Sequence, residues 1–143
     1  MATLAVDVNR TFELAGDGDS LNDLPVIASD IIYEGAAVGE NGSGYMRPLV
    51  AADPFMGFAQ RKVDNSTGAA GDLLVKLRTK GRVKLTIAGL NTIATNDKPP
   101  VYASDDDTFT LTSSSNSLIG YVERFIASGV GIVSFDTNLV KTA

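Results

Sequence analysis

Residues 55–63 read FMGFAQRKV, and residues 118–126 read LIGYVERFI. Each stretch has, in the same order, an apolar pair, a glycine, an aromatic residue, an aliphatic residue, a polar residue and an arginine. The offset that relates the two stretches also pairs Val38 with Val101. A pattern that repeats at a fixed spacing is typical of a duplicated structural unit. Two unrelated buried hairpins would give a similar pattern, so both interpretations stay open at the level of the sequence.

Short runs rich in Val, Ile, Thr, Tyr and Phe surround these two stretches, and clusters of Gly, Asn, Asp, Ser and Pro separate them. Such punctuation indicates an all-β protein. We expect a small β-sandwich or barrel-like domain built from hairpins, with Gly57 and Gly120 at bulges or points of close backbone approach. The runs cover about residues 26–33, 45–50, 55–63, 73–87, 101–103, 108–112, 118–127 and 130–135.

The composition restricts the possible chemistry. The 143 residues suffice for one domain with its own core. The absence of cysteine and histidine excludes disulfides, thiolate metal sites and the commonest general base. We therefore expect no enzyme, no catalytic residues, no metal site and no cofactor. Asp105, Asp106 and Asp107 offer oxygen ligands for calcium, but consecutive acids in a tight turn rarely converge on one ion, and we expect them to be solvated.

No apolar run approaches the ~20 residues of a membrane-spanning helix, so we expect no membrane partner. The N-terminal sequence lacks the basic and apolar regions of a secretory signal. We therefore expect synthesis in a cytoplasm.

The N-terminal region differs from the rest of the chain. Residues 1–40 hold eight acidic residues and one base. Leu4, Val6 and Val8 alternate with less apolar residues, which predicts an extended strand. Because one strand cannot stabilise itself, it must pack on the domain or on a partner. We interpret residues 1–22 as an extended arm that can bind a partner, and residues 23–143 as the β-rich domain; a first strand folded into the main sheet is the alternative.

Residues 75–85 alternate between apolar or small residues and cations, which predicts one half-buried strand with five cations on its outer face. This basic face is either solvated, or a docking surface for an acidic protein surface such as the acidic arm of a neighbouring copy. Nucleic acid fits poorly, because the net charge is −5 and no aromatic residue lies between the cations. The five cations are Lys76, Arg78, Lys80, Arg82 and Lys84.

An ordered series of short blocks resembles the capsid cement, or head decoration, proteins of tailed bacteriophages. The series covers most of the chain from 23 to 136, whereas the segment 1–22 has no counterpart in it. The blocks are DLPV at 23–26, IYEGA at 32–36, GY at 44–45, FMGFA at 55–59, VDNS at 63–66, GAAGD at 68–72, KPPVYASDD at 98–106 and IG at 119–120.

This resemblance implies a structural protein on the outer capsid surface of the virion, commonly a homotrimer. Such a protein binds the expanded head and stabilises it by bridging neighbouring major capsid proteins. An N-terminal arm would suit that role by adding a strand to a sheet edge of the shell. The runner-up interpretation is a β-sandwich binding module for glycans or another protein, and the third is an enzyme that depends on a carboxylate pair.

Overall fold

A computed structural model describes residues 3–13 and 21–140. The described residues form strands and a single 3₁₀ helix, Ile93–Asp97, without any α-helix. The predicted all-β class is therefore confirmed. The strands are β1 (Phe12–Glu13), β2 (Leu21–Pro25), β3 (Asp30–Ile32), β4 (Ala37–Glu40), β5 (Met46–Pro48), β6 (Phe55–Ala59), β7 (Val63–Asn65), β8 (Leu74–Arg78), β9 (Lys80–Ala88), β10 (Pro100–Ala103), β11 (Phe109–Thr110), β12 (Ser117–Ala127) and β13 (Val130–Asp136).

The second half of the chain forms a closed barrel of five strands. Its strands are arranged in the order β9-β11-β10-β12-β13, and β13 pairs again with β9. The pairing of β11 with β9 is parallel, with Phe109 opposite Ile87. The closing strand β11 pairs with only Ile87 and Ala88 of β9, and β1 pairs with β9 at Val83 and Arg82.

The first half forms a five-stranded sheet in the order β2-β8-β6-β4-β5. A single parallel bridge between Val26 and Met46 joins the two ends of this sheet. A separate two-stranded sheet of β3 and β7 completes this half. We refer to the two halves as the N-terminal sheet and the C-terminal barrel.

The two halves share one topology, and a constant offset relates β4, β5 and β6 to β10, β11 and β12 position by position. Val38 lies opposite Gly57 in the N-terminal sheet, and Val101 lies opposite Gly120 in the C-terminal barrel. Both pairings shift register directly after these positions. The β4–β5 and β10–β11 pairings correspond at the same offset.

The turns correspond as well. Ala52 and Ser115, which the same offset relates, both adopt a positive φ, of 78° and 62°. The amide of Asp53 donates to the Val50 carbonyl, and the amide of Asn116 donates to the Ser113 carbonyl. Agreement in strand order, register and turn geometry supports a duplicated unit rather than two unrelated hairpins.

The two repeated glycines lie where the chain permits no side chain. A Cβ atom at Gly57 would collide with the carbonyl oxygen of Arg78, and one at Gly120 would collide with that of Ser134. In both cases the obstacle is the backbone of a neighbouring strand, β8 or β13. The predicted close backbone approach is therefore present at both glycines.

One hydrophobic cluster joins the two halves. Phe55 and Phe58 of β6 are buried against Phe135 of β13, with ring centroids 6.1 and 5.1 Å apart. Phe58 also lies 6.2 Å from Phe109 in the barrel. A second cluster, which includes Val38 and Leu77, fills the N-terminal sheet itself. The aromatic packing at the junction makes the two halves parts of one core.

Two details of the sequence prediction are wrong. Residues 75–85 are two strands, β8 and β9, because the chain leaves the N-terminal sheet at Thr79 and enters the barrel. The predicted extended strand around Leu4, Val6 and Val8 is absent, since the first strand of the described chain is Phe12–Glu13.

No helix in the described residues is long and apolar enough to cross a membrane.

Candidate docking surfaces

The N-terminal segment lies along the domain over residues 3–13. Leu4 is half-buried against the cluster of the N-terminal sheet, and the amide of Val8 donates to the Glu34 carbonyl at 2.8 Å. Val6 is 67% exposed. Of the three alternating apolar residues, only Val6 is fully available to a partner. The predicted arm boundary at residue 22 stays a prediction, since residues 14–20 lie outside the described chain.

Arg10 and Phe12 fix this segment to the core, and sequence reasoning missed both. The Arg10 side chain is 7% exposed, and its guanidinium group lies 5.5 Å from the ring centroid of Phe58 and 5.2 Å from that of Phe109. Phe12 packs edge-on against Phe58 at 6.0 Å. A signal was present, because Arg10 is the only base before Arg47 and Phe12 is the only aromatic residue before Tyr33.

The acidic turn at residues 105–107 holds the N-terminal segment in place. Asp106 Oδ1 accepts a hydrogen bond from the Leu4 amide at 3.0 Å, and Asp107 accepts one from Arg10 at 2.8 Å. Asp106 is only 1% exposed, and burial raises the pKa of its carboxyl group to about 6. The expectation that the whole turn is solvated is therefore wrong for Asp106, which is a buried anchor for the chain.

The five cations of the basic face lie on two structural units. Lys76 and Arg78 belong to the N-terminal sheet, and Lys80, Arg82 and Lys84 belong to the barrel. All five side chains alternate with buried or half-buried residues, as predicted. The alternation is preserved because β8 covers the cluster of the N-terminal sheet and β9 covers the cluster that the two halves share.

Three of these cations bind partners within the chain. Lys76 pairs with Asp23 at 3.3 Å, and the Arg78 guanidinium lies 4.7 Å from the ring centroid of Phe12. Arg82 lies between Glu13 and Glu123 at 3.7 and 3.6 Å. The acidic N-terminal region is one predicted partner for the basic face of a neighbouring copy. Asp23 and Glu13 instead contact the basic strands of their own chain.

Glu13 also binds Arg124, whose guanidinium donates to both carboxylate oxygens. This hydrogen bonding is the main reason that the pKa of Glu13 is lowered. Lys80 and Lys84 are exposed, and neither forms an ion pair with any residue that the structure describes. They are the members of the basic face that are best placed to meet an acidic partner.

A further surface carries no charge. Tyr102 lies opposite Leu118, and Pro100 lies opposite Tyr121, on the outside of the barrel. Thr112 is exposed close to the end of β11. Tyr121 is 43% exposed, which is unusual for a large aromatic residue in the middle of a strand. We call Pro100, Tyr102, Thr112, Leu118 and Tyr121 the outer strip.

Within the described residues, no group of three or more acidic, histidine or cysteine side chains is arranged to bind a metal ion. A comparison with models of known protein families and a comparison with curated proteins each found no match to this chain.

Proposed function

We propose that this protein is a structural capsid decoration protein of a tailed bacteriophage. It binds the outer surface of the expanded head, where it bridges major capsid proteins as a homotrimer and stabilises the shell. It is made in the host cytoplasm and ends on the outer capsid surface of the virion. The observation that carries the proposal is the ordered series of sequence blocks over residues 23–136 that resembles the cement proteins.

The positions of these blocks in the fold support the proposal. DLPV at 23–26 includes the end of β2 and the bridging Val26, and FMGFA at 55–59 is strand β6 at the junction of the two halves. KPPVYASDD at 98–106 forms β10 and the turn that anchors the N-terminal segment. The resemblance therefore falls on residues that determine the shared scaffold, while the contacts with the shell are left to exposed residues.

Multivalency explains how such a scaffold binds tightly. A trimer that contacts several capsid subunits makes each later contact effectively intramolecular, so that modest interfaces combine into strong attachment. A protein that binds only the expanded shell also stabilises that shell by mass action. Four members of the residue set that the sequence nominated for these contacts are exposed, namely Val6, Lys80, Arg82 and Lys84. Arg82 is already paired with Glu13 and Glu123, so Val6, Lys80 and Lys84 are the members best placed to meet the shell.

The proposal is tested by mixing the purified protein with expanded phage heads that lack it, pelleting the heads and counting bound copies per capsid subunit. We expect saturable binding at a fixed stoichiometry and a rise in the temperature at which the heads disrupt. Absence of binding to the cognate heads would contradict the proposal and favour a glycan- or protein-binding module.

Charge variants locate the contact in the same assay. Replacing Lys80 and Lys84 together with glutamine should weaken attachment several-fold at low salt, because exposed charges attract an acidic surface over roughly 10 Å at 0.1 M salt. Lys76→Gln is the matched control, since Lys76 is already paired with Asp23. Equal binding of the wild type and the double variant at all salt concentrations would show that the basic face is only solvated.

A further inference from the structure

We propose that the outer strip of the C-terminal barrel is the surface through which copies of this chain associate. The inference rests on the self-association contained in the proposed function and adds the face that mediates it. Its support is the internal duplication of the chain, which is independent of any contact with a capsid.

The duplication identifies the counterpart of each strip residue. At the offset that relates the two halves, Pro100 corresponds to Ala37 and Tyr121 corresponds to Phe58 of the N-terminal sheet. The register of the strands fixes this correspondence, since Pro100 lies opposite Tyr121 and Ala37 lies opposite Phe58. The strip is therefore the same face of the same unit, in its second copy. By the same offset, Thr112 corresponds to Leu49, Leu118 to Phe55 and Tyr102 to Gly39.

The first copy of this face is an interface. Ala37, Leu49, Phe55 and Phe58 are at most 1% exposed, and all four belong to the cluster that they share with the C-terminal barrel. Burial of this apolar face against a second unit of the same fold stabilises the chain, at about 25 cal/mol for each Å² removed from water. The unit thus already packs against another unit of its own kind through this face.

The second copy of the face is less covered within the described chain, since Leu118 is half-buried against the shared cluster but Thr112 is exposed. Tyr121 is 43% exposed at the position where Phe58 is fully buried. The replacement of Phe by Tyr and of Leu49 by Thr112 keeps an apolar body and adds hydroxyl groups, so the face tolerates water when unbound. Tyrosine is favoured at protein interfaces for this reason.

The charges around the strip favour a second copy as the occupant. The strip holds no charged residue, and Glu123 at its rim pairs with Lys98 at 3.3 Å and with Arg82 at 3.6 Å. A strongly charged partner would find no complementary field at this face. Copies related by symmetry each supply the same uncharged strip, so that none of them buries an unpaired charge when they associate.

Sedimentation of the full-length protein tests this inference without phage heads. Between about 1 and 100 µM, the range in which modest interfaces dissociate, the mass of the wild type should rise from 15.0 kDa to at least twice that value. Tyr121→Lys should weaken association at least 10-fold, because it buries an unpaired charge. Leu74→Lys places the same charge at an exposed leucine of the N-terminal sheet and should associate like the wild type.

Thr112→Lys is a second variant that keeps the test decisive if Tyr121→Lys does not fold. Thr112 is exposed and lies in the strip, so lysine is tolerated there by the monomer and is expected to weaken association. A wild type that stays at 15.0 kDa at the highest concentration overturns the inference, and so does undiminished association of a folded strip variant. Either result leaves head binding to be judged by its own assay.

Discussion

Asp106 is a buried carboxyl group in a protein whose other acids are mostly solvated. Its Oδ1 accepts from the Leu4 amide, and its Oδ2 has no hydrogen-bond partner among the described residues. Burial raises the pKa of Asp106 from 3.8 to about 6, with smaller contributions from Asp105 and Asp107. The folded protein therefore holds this proton more tightly than the unfolded chain between about pH 4 and pH 6.

Asp106→Asn should remove one component of the pH dependence of stability. Stability falls with rising pH wherever the folded state binds more protons, so ionisation of Asp106 costs the wild type up to about 3 kcal/mol by pH 7. We expect the variant to exceed the wild type in free energy of unfolding at pH 7 and to match it near pH 4. Denaturant titrations across this range provide the measurement.

Asp97→Asn is the control for this experiment, because Asp97 is exposed at the end of the 3₁₀ helix. It should keep the pH profile of the wild type. If Asp106→Asn kept that profile too, Asp106 would not be the titrating group.

At the scale of single elements, the N-terminal segment is the one whose role the structure changes most. β1 adds to the barrel strand β9, with Phe12 opposite Val83. The Phe12 ring lies 6.0 Å from Phe58 and 6.3 Å from Phe135. This segment therefore covers the aromatic cluster at the junction of the two halves.

Phe12→Ala should destabilise the protein by about 3 kcal/mol, since removing a packed phenylalanine leaves a cavity and loses transfer free energy. Val6→Ala in the same segment is the matched control, because Val6 is 67% exposed. The free energy of unfolding of both variants is the measurement. Equal, small effects would mean that β1 does not stabilise the domain, as expected of an arm that packs only on partners.

At the scale of the whole molecule, the shared cluster predicts that the two halves unfold together. Phe58 contacts aromatic residues of β1, β6, β11 and β13. Neither half can therefore lose its structure without exposing part of the core of the other.

Phe58→Ala should lower the stability of both halves in one transition, by about 3–5 kcal/mol. Tyr121→Ala, at the equivalent exposed position, should cost well under about 1 kcal/mol when measured on dilute protein. Calorimetry distinguishes the cases, because a single two-state transition has equal calorimetric and van't Hoff enthalpies. Two separate transitions would show that the halves are independent domains.

Several features of the fold could be predicted from short stretches of the sequence. The all-β class follows from short β-rich runs between turn clusters, because strand-forming residues and turn residues act over a few positions. The burial of Val75, Leu77, Val83 and Leu85 follows from strict alternation, since a strand sends successive side chains to opposite faces. The two similar stretches suggested a duplication, and the matching registers support it.

Other features depend on contacts between distant residues. Residues 75–85 would alternate in the same way in one strand or in two. The sequence therefore could not predict that the chain passes from the N-terminal sheet to the barrel at Thr79. Arg10 pairs with Asp107 across 97 positions, and Leu4 bonds Asp106 across 102. No local pattern encodes such partners, because they are brought together only by the packing of the whole chain.

The amino-acid sequence by itself determined the all-β class, the turn clusters, the two similar stretches and the charges available to them. The tertiary structure alone decided which copy of the repeated face is covered and which cations are neutralised within the chain. The physical reason is that burial and ion pairing depend on what lies across each face. Phe58 and Tyr121 occupy the same place in the same motif, yet one is core and the other is surface.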